Sequence, residues 1–370
     1  MKSKEIIEKM LGTADVKING NRPFDVKVLD ERLYDRVLSK GTLGLGEAYM
    51  DGWWECEQLD EMIFRVLRFS DRSVVDKNLT NALQVLKSKV VNLQTKNGSK
   101  KVAEEHYDLG NDLYEAFLDP YNQYTCGYFK DTEDLNVAQE QKLELICRKL
   151  QLKSTDTVLD IGCGWGGFAK YAAEHYGCHV TGISISGEQI AYAREYVKGL
   201  PVEILNRDYR DMKGKFDKVV SVGMFEHVGY KNYRKFFEIA RANLKDDGIF
   251  LFHTIGRNTS HTSIDPWFGK YIFPNTMLGS IKQISEASEG LFVMEDWHNF
   301  GQYYSKTLLA WQKNFDKNWN TIKDKYGDRF YRMFRYYFLS CAGAFRARDM
   351  QLWQVVFTPK GLLEEYRSVR

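Results

Sequence analysis

Residues 157–168 read TVLDIGCGWGGF, an apolar strand pattern that runs directly into a glycine-rich turn and then into a helix pattern. Gly162 and Gly164 permit a sharp turn with no Cβ in the way of a ligand. Asp160 stands at the end of the strand, where a carboxylate can accept hydrogen bonds from a ligand, and the turn leads to a helix N-terminus. The loop lacks the G-x-G-x-x-G spacing of dinucleotide-binding proteins. We therefore expect a cofactor loop here, with a plain tight turn as the alternative.

Strand patterns alternate with helix patterns from about residue 155 onward, which predicts a parallel sheet with crossover helices. The predicted strands are 157–162, 178–184, 202–205, 216–223, 248–255, 291–296 and 352–357. The predicted helices are 166–176, 187–198, 231–244, 301–325 and 328–347. This order predicts an α/β fold with a doubly wound sheet that ends in an antiparallel edge hairpin.

The N-terminal part of the chain has a different character. Residues 1–95 indicate a smaller, mainly helical domain, and residues 102–370 the α/β domain. The segment 77–101 holds six lysines and no acid. One helical face of this segment would carry apolar residues at steps of four and three, namely Leu79, Leu83, Leu86, Val90 and Leu93. Such a basic amphipathic helix either packs on a neighbour or lies on an anionic membrane surface, and both interpretations stay open.

Length, charge and cysteine usage exclude some classes of function. A chain of 370 residues is long enough for two domains, and a net charge of +2 argues against a dedicated nucleic-acid binder. The six cysteines show no paired CxxC spacing, so we predict no disulfide framework. His175 and His179 straddle a helix end and a strand start, so we predict no metal site. With no apolar run of about 18 residues, we expect a cytoplasmic protein whose membrane contact is peripheral.

Several long motifs carry a resemblance to a known family. They include DIGCGWGG, SVGMFEHVG, LFHTIG, EDWHNFG and CAGAFRARDMQLWQVVF, with HYDLGNDLY, QYTCGYF and LGLGEAYMDGWWE further upstream. In these motifs the chain resembles the cyclopropane-fatty-acyl-phospholipid synthases of the mycolic acid cyclopropane synthase family, within the S-adenosylmethionine-dependent methyltransferases. The resemblance covers nearly the whole chain, including an N-terminal region that the mycolic acid enzymes lack. It implies the class I methyltransferase form of the doubly wound sheet.

The resemblance also implies a reaction on the unsaturated acyl chains of membrane phospholipids. In that reaction the alkene attacks the methyl group of S-adenosylmethionine, and a base then removes a proton as a cyclopropane ring closes. The family holds a bicarbonate ion as this base. The cage implied for it consists of Cys126, Glu226, His253, the backbone of Ile255, and Tyr304. The position before the last tyrosine is usually acidic in the family and is Tyr303 here, so either tyrosine is a candidate to face the site.

A second set of residues is expected to hold the methyl donor. The second strand ends TGISISGEQ, without the acid that often binds the ribose in methyltransferases, so Ser184 and Gln189 are the expected substitutes. The RDYRD stretch at 207–211 stands where an acid and a ring commonly bracket the adenine, and the resemblance places Tyr124 and Thr125 beside the cofactor. The full predicted set is Tyr124, Thr125, Asp160, Gly162, Gly164, Ser184, Gln189, Asp208 and Tyr209.

For the aromatic residues, for Cys341 and for the function itself, the sequence leaves alternative interpretations open. Aromatic residues around the fifth and sixth strands are either ordinary core or walls of an acyl channel: Trp267, Phe268, Tyr271, Phe273, Trp297 and Phe300. Cys341 invites a nucleophile interpretation, but a buried helical cysteine is usually core, and ring formation needs no covalent intermediate on the enzyme. The rival functions are plain methyl transfer to a lipid or small molecule, and lipid binding without catalysis. A homodimer is implied by the resemblance alone.

Overall fold

The computed structural model of the protein describes residues 3–70 and 110–370. These residues form two compact units that are each assembled from separate parts of the chain. The first unit takes in 3–70, 262–274 and 304–350, and the second takes in 110–261, 275–303 and 351–370. The boundary that the sequence predicts, between 1–95 and 102–370, lies outside the described residues and stays a prediction.

Helices dominate the first unit, whereas helices and strands alternate in the second. The α-helices are α1 Ser3–Thr13, α2 Arg32–Met50, α3 Leu59–Phe69, α4 Asn111–Glu115, α5 Leu135–Leu150, α6 Gly167–Tyr176, α7 Gly187–Tyr196, α8 Tyr233–Asn243, α9 Pro266–Tyr271, α10 Ile281–Ser288, α11 Gln302–Tyr326 and α12 Asp328–Arg346. The strands are β1 Lys27–Val28, β2 Trp54–Glu55, β3 Thr157–Ile161, β4 His179–Ser184, β5 Val202–Asn206, β6 Phe216–Val222, β7 Leu244–Arg257, β8 Gly279–Ser280, β9 Val293–Asn299 and β10 Met350–Thr358.

The main sheet of the second unit has the order β5-β4-β3-β6-β7-β10-β9, with β8 paired to β7. Strands β3 to β7 pair in parallel, and β9 pairs with β10 antiparallel. The predicted doubly wound sheet with an antiparallel edge hairpin is therefore confirmed. The strand order reverses beside β3, between its neighbours β4 and β6. Ligands of open α/β sheets bind in the crevice at such a reversal, outside the carboxyl ends of the strands.

Alternate residues of the parallel strands fill two apolar layers, one on each face of the sheet, because successive side chains of a strand point to opposite faces. Leu159 and Val219 belong to one layer, which also contains all four Phe side chains of α8 and β7. Val158 and Val220 belong to the other layer, beneath α5 and α6. Both faces are thus covered, and the strands read as nearly continuous apolar runs.

The structure corrects some predicted boundaries. Strand β7 begins at Leu244 rather than 248, because Leu244 already pairs with Phe216 before a register shift. Strand β9 runs to Asn299 rather than 296, so Trp297 lies within the strand, opposite Val355, and not after it. Helices α4, α5, α9 and α10 and the short pair β1–β2 have no counterpart in the prediction.

Close packing of helices builds the first unit. Helix α12 packs on α2 and α3, and α9 packs on α2. A Cβ at Gly343 of α12 would collide with the backbone carbonyl of Asp60, and a Cβ at Gly46 would collide with the ring of Trp267. Trp267 is fully buried, with its ring 4.6 Å from that of Tyr336. In this unit Trp267 is therefore a core residue of the α2–α9–α12 packing, and its role in an acyl channel stays a prediction.

Candidate active site

The predicted cofactor loop follows β3 directly. Gly162 has φ +88° and Gly164 has φ +55°, both in the region that favours glycine. A Cβ at Gly162 would lie 2.7 Å from the side chain of Met224, so a larger residue would also collide with the loop after β6. The N–H groups of Gly162 and Cys163 both donate to the carbonyl of Ile183, at 3.0 Å each. The glycines are thus required by a turn that is tied to the neighbouring strand.

Aromatic side chains cover this loop. The ring of Trp165 lies 4.8 Å from that of Tyr114, and Tyr114 in turn lies 5.4 Å from Tyr124. At Gly167, the first residue of α6, a Cβ would collide with the backbone carbonyl of Tyr121. The segment before Cys126 therefore passes closely over the start of α6. This passage brings Tyr124, one of the predicted cofactor residues, beside the loop.

Other predicted cofactor residues lie at the ends of β4 and β5. The hydroxyl of Ser184 donates to Gln189 Oε1 at 3.4 Å, and Gln189 is buried in the first turn of α7. Asp208 accepts hydrogen bonds from the backbone and guanidinium of Arg210, with an ion-pair distance of 2.6 Å. Burial raises the pKa of Tyr209 to about 12, so this ring stays a neutral phenol. Ser184 and Gln189 therefore lie together at the end of one strand, and Asp208 and Tyr209 after the next. The contacts of these four residues with a cofactor stay predictions.

Helix α5 holds the segment 123–126 from one side. Gln139 Nε2 donates to the carbonyl of Thr125 at 2.8 Å. One turn later, Lys142 Nζ donates to Thr125 Oγ1 at 2.9 Å and also to Gln123 Oε1. The Thr125 methyl group faces Gly223 closely enough that a Cβ there would lie 2.7 Å away. Thr125 is thus fixed between α5 and the end of β6.

Burial shifts the pKa values of two charged groups in this region. Lys142 is fully buried, and burial lowers its pKa to about 7, against the opposing charges of Asp119, Cys126 and Asp160. Burial also raises the pKa of Asp160 to about 7, although the nearby Lys142 ammonium favours the carboxylate. The end of β3 therefore carries a carboxyl group whose charge depends on what lies beside it.

Glu226 lies in a short 3-10 helix, Phe225–His227, that follows β6. Its Oε1 accepts a hydrogen bond of 2.7 Å from the backbone N–H of Ile255, and its own carbonyl accepts one from Met277. Burial raises the pKa of Glu226 to about 7, and the interactions with the backbones of Ile255 and Glu226 and with the Thr254 side chain oppose this shift only partly. Oε2 has no hydrogen-bond partner among the described residues. Glu226 is thus a buried acid with one oxygen available.

His253 lies on β7, opposite Val222 of β6. Its Nδ1 lies 3.2 Å from Gln354 Nε2 on β10, and its ring lies 5.9 Å from that of Phe300. Burial lowers the pKa of His253 well below its ordinary value, and the charges of Lys142 and Lys149 act in the same direction. In the described part of the chain, His253 Nε2 is a second buried polar atom without a hydrogen-bond partner.

Backbone contacts bring four of the five predicted cage residues together. The N–H of Gly223 donates to the carbonyl of His253 at 3.0 Å, and Gly223 also faces Thr125, the neighbour of Cys126. Ile255, two residues after His253, binds Glu226. The Cys126 side chain is fully buried, with Sγ 3.3 Å from the carbonyl of Gly127. These four residues lie in the second unit, at the carboxyl edge of β6 and β7.

The fifth predicted residue, Tyr304, belongs to the first unit. There its ring stacks on Phe345 at 4.4 Å. Tyr303 belongs to the second unit, where its ring lies 5.5 Å from Tyr128 and 6.3 Å from Phe300. Because Phe300 also contacts His253, Tyr303 shares an aromatic cluster with the candidate site. The choice between the two tyrosines stays a prediction.

Cys341, the weaker candidate for a catalytic role, is buried in α12 of the first unit. Burial raises the pKa of this thiol well above its ordinary value, and the nearby Asp265 adds to the shift. A thiol of this kind is poorly ionised and therefore a weak nucleophile. Its surroundings are those of a core residue.

The residues that support the site lie outside the set predicted from the sequence. Gln123, Gln139, Lys142 and Gln354 are all buried, yet none belongs to the predicted set. Two signals were present: a polar residue within the apolar strand LWQVVF, and lysines among the apolar residues of the segment AQEQKLELICRKL. Buried polar side chains usually have a specific partner.

Residues 3–70 and 110–370 contain no group of three or more His, Cys, Asp or Glu side chains that could hold a metal ion. In the same ranges, no helix is both long and apolar enough to cross a membrane. The basic segment 77–101, which the sequence predicts to be an amphipathic helix, lies outside the described residues.

The strand order, the edge hairpin and the glycine loop after β3 together define a class I S-adenosylmethionine-dependent methyltransferase fold. The chain matches the family described as mycolic acid cyclopropane synthetase over residues 94–355, more than half of its length, and it belongs to that family. A solved mycolic acid cyclopropane synthase in complex with SAH and CTAB shares 30% identity with it. The TM-score is 0.65, and the match covers 70% of this chain and 97% of the other.

Two curated relatives extend the comparison. The cyclopropane-fatty-acyl-phospholipid synthase of Escherichia coli is 52% identical over 353 residues, which is 95% of this chain and 92% of the relative. The sphingolipid C9-methyltransferase A of Emericella nidulans is 35% identical over 282 residues, 71% of this chain and 54% of the relative. The first similarity includes the N-terminal region of the chain, whereas the family match begins only at residue 94.

Proposed function

We propose that the chain is a cyclopropane-fatty-acyl-phospholipid synthase, which adds a methylene from S-adenosylmethionine across the cis double bond of an unsaturated phospholipid acyl chain. The observation that carries the proposal is the pair of buried polar atoms Glu226 Oε2 and His253 Nε2, which have no partner among the described residues. They lie on neighbouring elements beside the cofactor loop. Similarity over 95% of the chain to the E. coli enzyme supports the same function.

The reaction requires a methyl donor and a base. S-adenosylmethionine supplies the methyl group, and bicarbonate supplies the proton acceptor. The π electrons of the alkene form a bond to the methyl carbon as its bond to sulfur breaks. The electron pair of a C–H bond of the added methyl then closes the ring, and the proton goes to the base. An alkene is a weak nucleophile, so proximity and exclusion of water must supply much of the rate.

The residues of the site fit a bicarbonate ion. Such an ion has oxygens that accept hydrogen bonds and a hydroxyl that donates one. An ionised carboxylate would repel it, but burial raises the pKa of Glu226 to about 7, so below pH 7 the acid is mostly protonated and can share its proton with an anion. Within the described part of the chain, His253 Nε2 is a second buried group that can contact the ion. Cys126, Ile255 and Tyr304 complete the proposed cage.

The cofactor set is proposed with the same function. Asp160, Gly162 and Gly164 would hold S-adenosylmethionine at the turn after β3, and Tyr124 and Thr125 would lie beside it. Ser184, Gln189, Asp208 and Tyr209 would contact its ribose and adenine. We also propose a homodimer that associates peripherally with the cytoplasmic face of the membrane.

Plain methyl transfer to a lipid is the second candidate function. It is favoured by the 35% identity to a sphingolipid C9-methyltransferase, a relative whose name describes methylation rather than ring formation. The two functions differ in their product. A methyltransferase of this kind yields a branched chain, whereas a cyclopropane synthase yields a ring of the same mass as a methyl-branched alkene.

The test is incubation of the protein with S-adenosylmethionine and vesicles of unsaturated phospholipid. Mass analysis of the released fatty acids gives the number of added CH₂ units, and proton NMR distinguishes cyclopropane protons from those of a branched alkene. Cyclopropane protons support the proposal. A branched alkene with no ring protons would establish the second function, and unchanged lipid together with normal cofactor binding would contradict both.

A further inference from the structure

We propose that Gln354 is a positioning residue that fixes the tautomer of His253, so that Nε2 carries the proton and His253 serves as a hydrogen-bond donor and not as the base. The proposal rests on the proposed function, since it concerns how the same site treats its anion. It adds a residue outside the predicted cage and assigns a direction to the hydrogen bond that His253 makes.

The contact between the two side chains is the geometric basis of the proposal. Gln354 Nε2 lies 3.2 Å from His253 Nδ1, and Gln354 and His253 are both buried. Strands β10 and β7, which carry them, are neighbours in the sheet order. With Nε2 of the amide toward the ring, the amide nitrogen can only donate, and we therefore assign Nδ1 as the acceptor. In a neutral imidazole the proton then resides on Nε2. Gln354 Oε1 is buried and has no hydrogen-bond partner among the described residues, so the measured tautomer also tests which end of the amide faces the ring.

The surroundings keep the ring neutral. Burial lowers the pKa of His253 well below its ordinary value, and the nearby charges of Lys142 and Lys149 and the ring of His298 act in the same direction. A neutral ring with Nδ1 engaged as an acceptor has a single N–H, directed from Nε2. This nitrogen is buried and has no hydrogen-bond partner in the described ranges.

The consequence concerns the proton that leaves during ring closure. Protonated Nε2 has no lone pair in the ring plane, so His253 cannot take up that proton. Burial raises the pKa of Glu226 to about 7, and in its protonated form this carboxyl is also a poor proton acceptor. Both side chains therefore face the site as donors, which favours binding of an anion and leaves the role of base to that anion.

The residue type at position 354 decides which ring nitrogen of His253 carries the proton. An acid in the same place would accept from Nδ1–H and would reverse the tautomer, as the carboxylate partner of a histidine base does. The lone pair of Nε2 would then face the site. Exchange of Gln354 for Glu is therefore expected to convert His253 from a donor into a base.

The tautomer can be measured without turnover. In protein labelled with 15N histidine, two-bond proton–nitrogen correlation spectra distinguish the two ring nitrogens, and the His253→Asn variant assigns the signal. We expect a neutral ring protonated at Nε2 in wild type at pH 7. A ring protonated at Nδ1 would mean that the amide of Gln354 accepts instead, and would overturn the proposal whatever the enzyme's activity.

Activity gives an independent readout. In Gln354→Glu we expect a Nδ1-protonated ring and a stimulation by added bicarbonate at least about threefold smaller than in wild type. In Gln354→Met, which matches the shape but lacks the donor, we expect ring formation to fall about tenfold while dependence on bicarbonate persists. Affinity for S-adenosylmethionine, measured by calorimetry, should stay within about twofold in both variants.

Gln351→Glu is the matched control. Gln351 is a buried glutamine of the same strand that accepts from Asn299 instead of contacting His253. The exchange Gln351→Glu should leave the stimulation of activity by bicarbonate unchanged. If Gln354→Glu and wild type respond equally to bicarbonate although both fold, Gln354 does not set the tautomer. If wild type shows the Nε2 tautomer but no response to bicarbonate, the proposed base is wrong and the assignment of the tautomer stands.

Discussion

Asp160 and Glu226 are both buried carboxyl groups with a pKa raised to about 7, yet their surroundings differ. Asp160 lies near the Lys142 ammonium, which favours its ionised form, whereas Glu226 Oε1 accepts a hydrogen bond from the uncharged backbone N–H of Ile255. A cationic ligand would favour ionised Asp160, and an anionic ligand would favour protonated Glu226. The two acids therefore suit the two opposite charges of the proposed function, that of the sulfonium cofactor and that of the proposed anionic base.

The exchange Glu226→Gln keeps the shape of the side chain and removes proton sharing. We expect it to slow ring formation about 10²-fold, the usual contribution of a positioned acid or base, and to change affinity for S-adenosylmethionine by less than about threefold. Bicarbonate-depleted buffer should slow wild type, and added bicarbonate should restore it. Full ring-forming activity in Glu226→Gln, with no bicarbonate dependence in degassed wild type, would contradict this account of the base.

The same exchange should change how stability depends on pH. The folded-state pKa of Glu226 is about 7, against 4.5 for an ordinary glutamate, so the folded state binds more protons than the unfolded state between these values. Stability therefore falls as pH rises from 4.5 to 7, by on the order of 3 kcal/mol for this group. Glu226→Gln removes this loss and should be more stable than wild type at pH 8. Chemical unfolding at pH 5 and pH 8 measures how much stability each protein loses between the two pH values. An equal loss in wild type and in Glu226→Gln would show that Glu226 is not the protonated group.

At Gly162, a valine would combine an unfavourable positive φ with a collision against Met224. We expect Gly162→Val to abolish binding of S-adenosylmethionine while the protein stays folded, and Asp160→Ala to do the same by removing a ligand. Gly199 is the control, because it has φ +86° and nothing within 4 Å of a Cβ. Gly199→Val should bind normally in calorimetry. Normal affinity in a folded Gly162→Val would refute the assignment of this loop.

At the scale of elements, helix α5 carries two fully buried lysines, Lys142 and Lys149, seven residues apart. Lys142 supports Thr125, whereas Lys149 pairs with Asp296 at 3.3 Å. Lys142→Met should raise the Kd for S-adenosylmethionine about tenfold, because Gln123 and Thr125 lose their shared donor. Lys149→Met should alter stability but not this Kd. Equal effects of both variants on the Kd would show that α5 acts only through general packing.

The elements differ in how well the sequence predicts them, for physical reasons. Strands β3 to β7 are apolar runs bounded by turns, and the glycine loop after β3 has a distinctive pattern, so both are predictable. Helix α5 is not, because Lys142 and Lys149 interrupt the apolar face that defines a buried helix in a sequence. The role of Gln354 depends on its contact with His253, which lies on a neighbouring strand that is distant in the chain. No local pattern contains that information.

At the scale of the whole molecule, the basic segment 77–101 is the feature that the sequence connects with membranes. Replacement of Lys87, Lys89 and Lys96 by Glu should weaken binding to anionic vesicles by about 10²-fold or more, since each lysine near such a surface contributes about 1 kcal/mol. Wild-type binding should fade with salt, and activity on detergent-dispersed lipid should survive. Vesicle co-sedimentation measures the binding.

The control makes the same change in charge elsewhere. Lys313, Lys317 and Lys323 are exposed residues of α11, and their replacement by Glu should leave vesicle binding close to wild type. If both triple variants lose binding equally, net charge alone is responsible. If neither loses binding, the segment 77–101 is a structural helix.

The first unit is assembled from segments that lie far apart in the chain, and this has a consequence during synthesis. Helices α2 and α3 leave the ribosome early, but α12, on which they pack, ends only at Arg346. At 5–20 residues per second, roughly 15 to 55 s pass between translation of Phe69 and of Arg346. During that interval the apolar faces of α2 and α3 have not yet met α12, while the parallel strands of the second unit are already being made. The first unit can therefore be completed only near the end of translation, and we expect its early helices to be exposed to solvent or to chaperones until then.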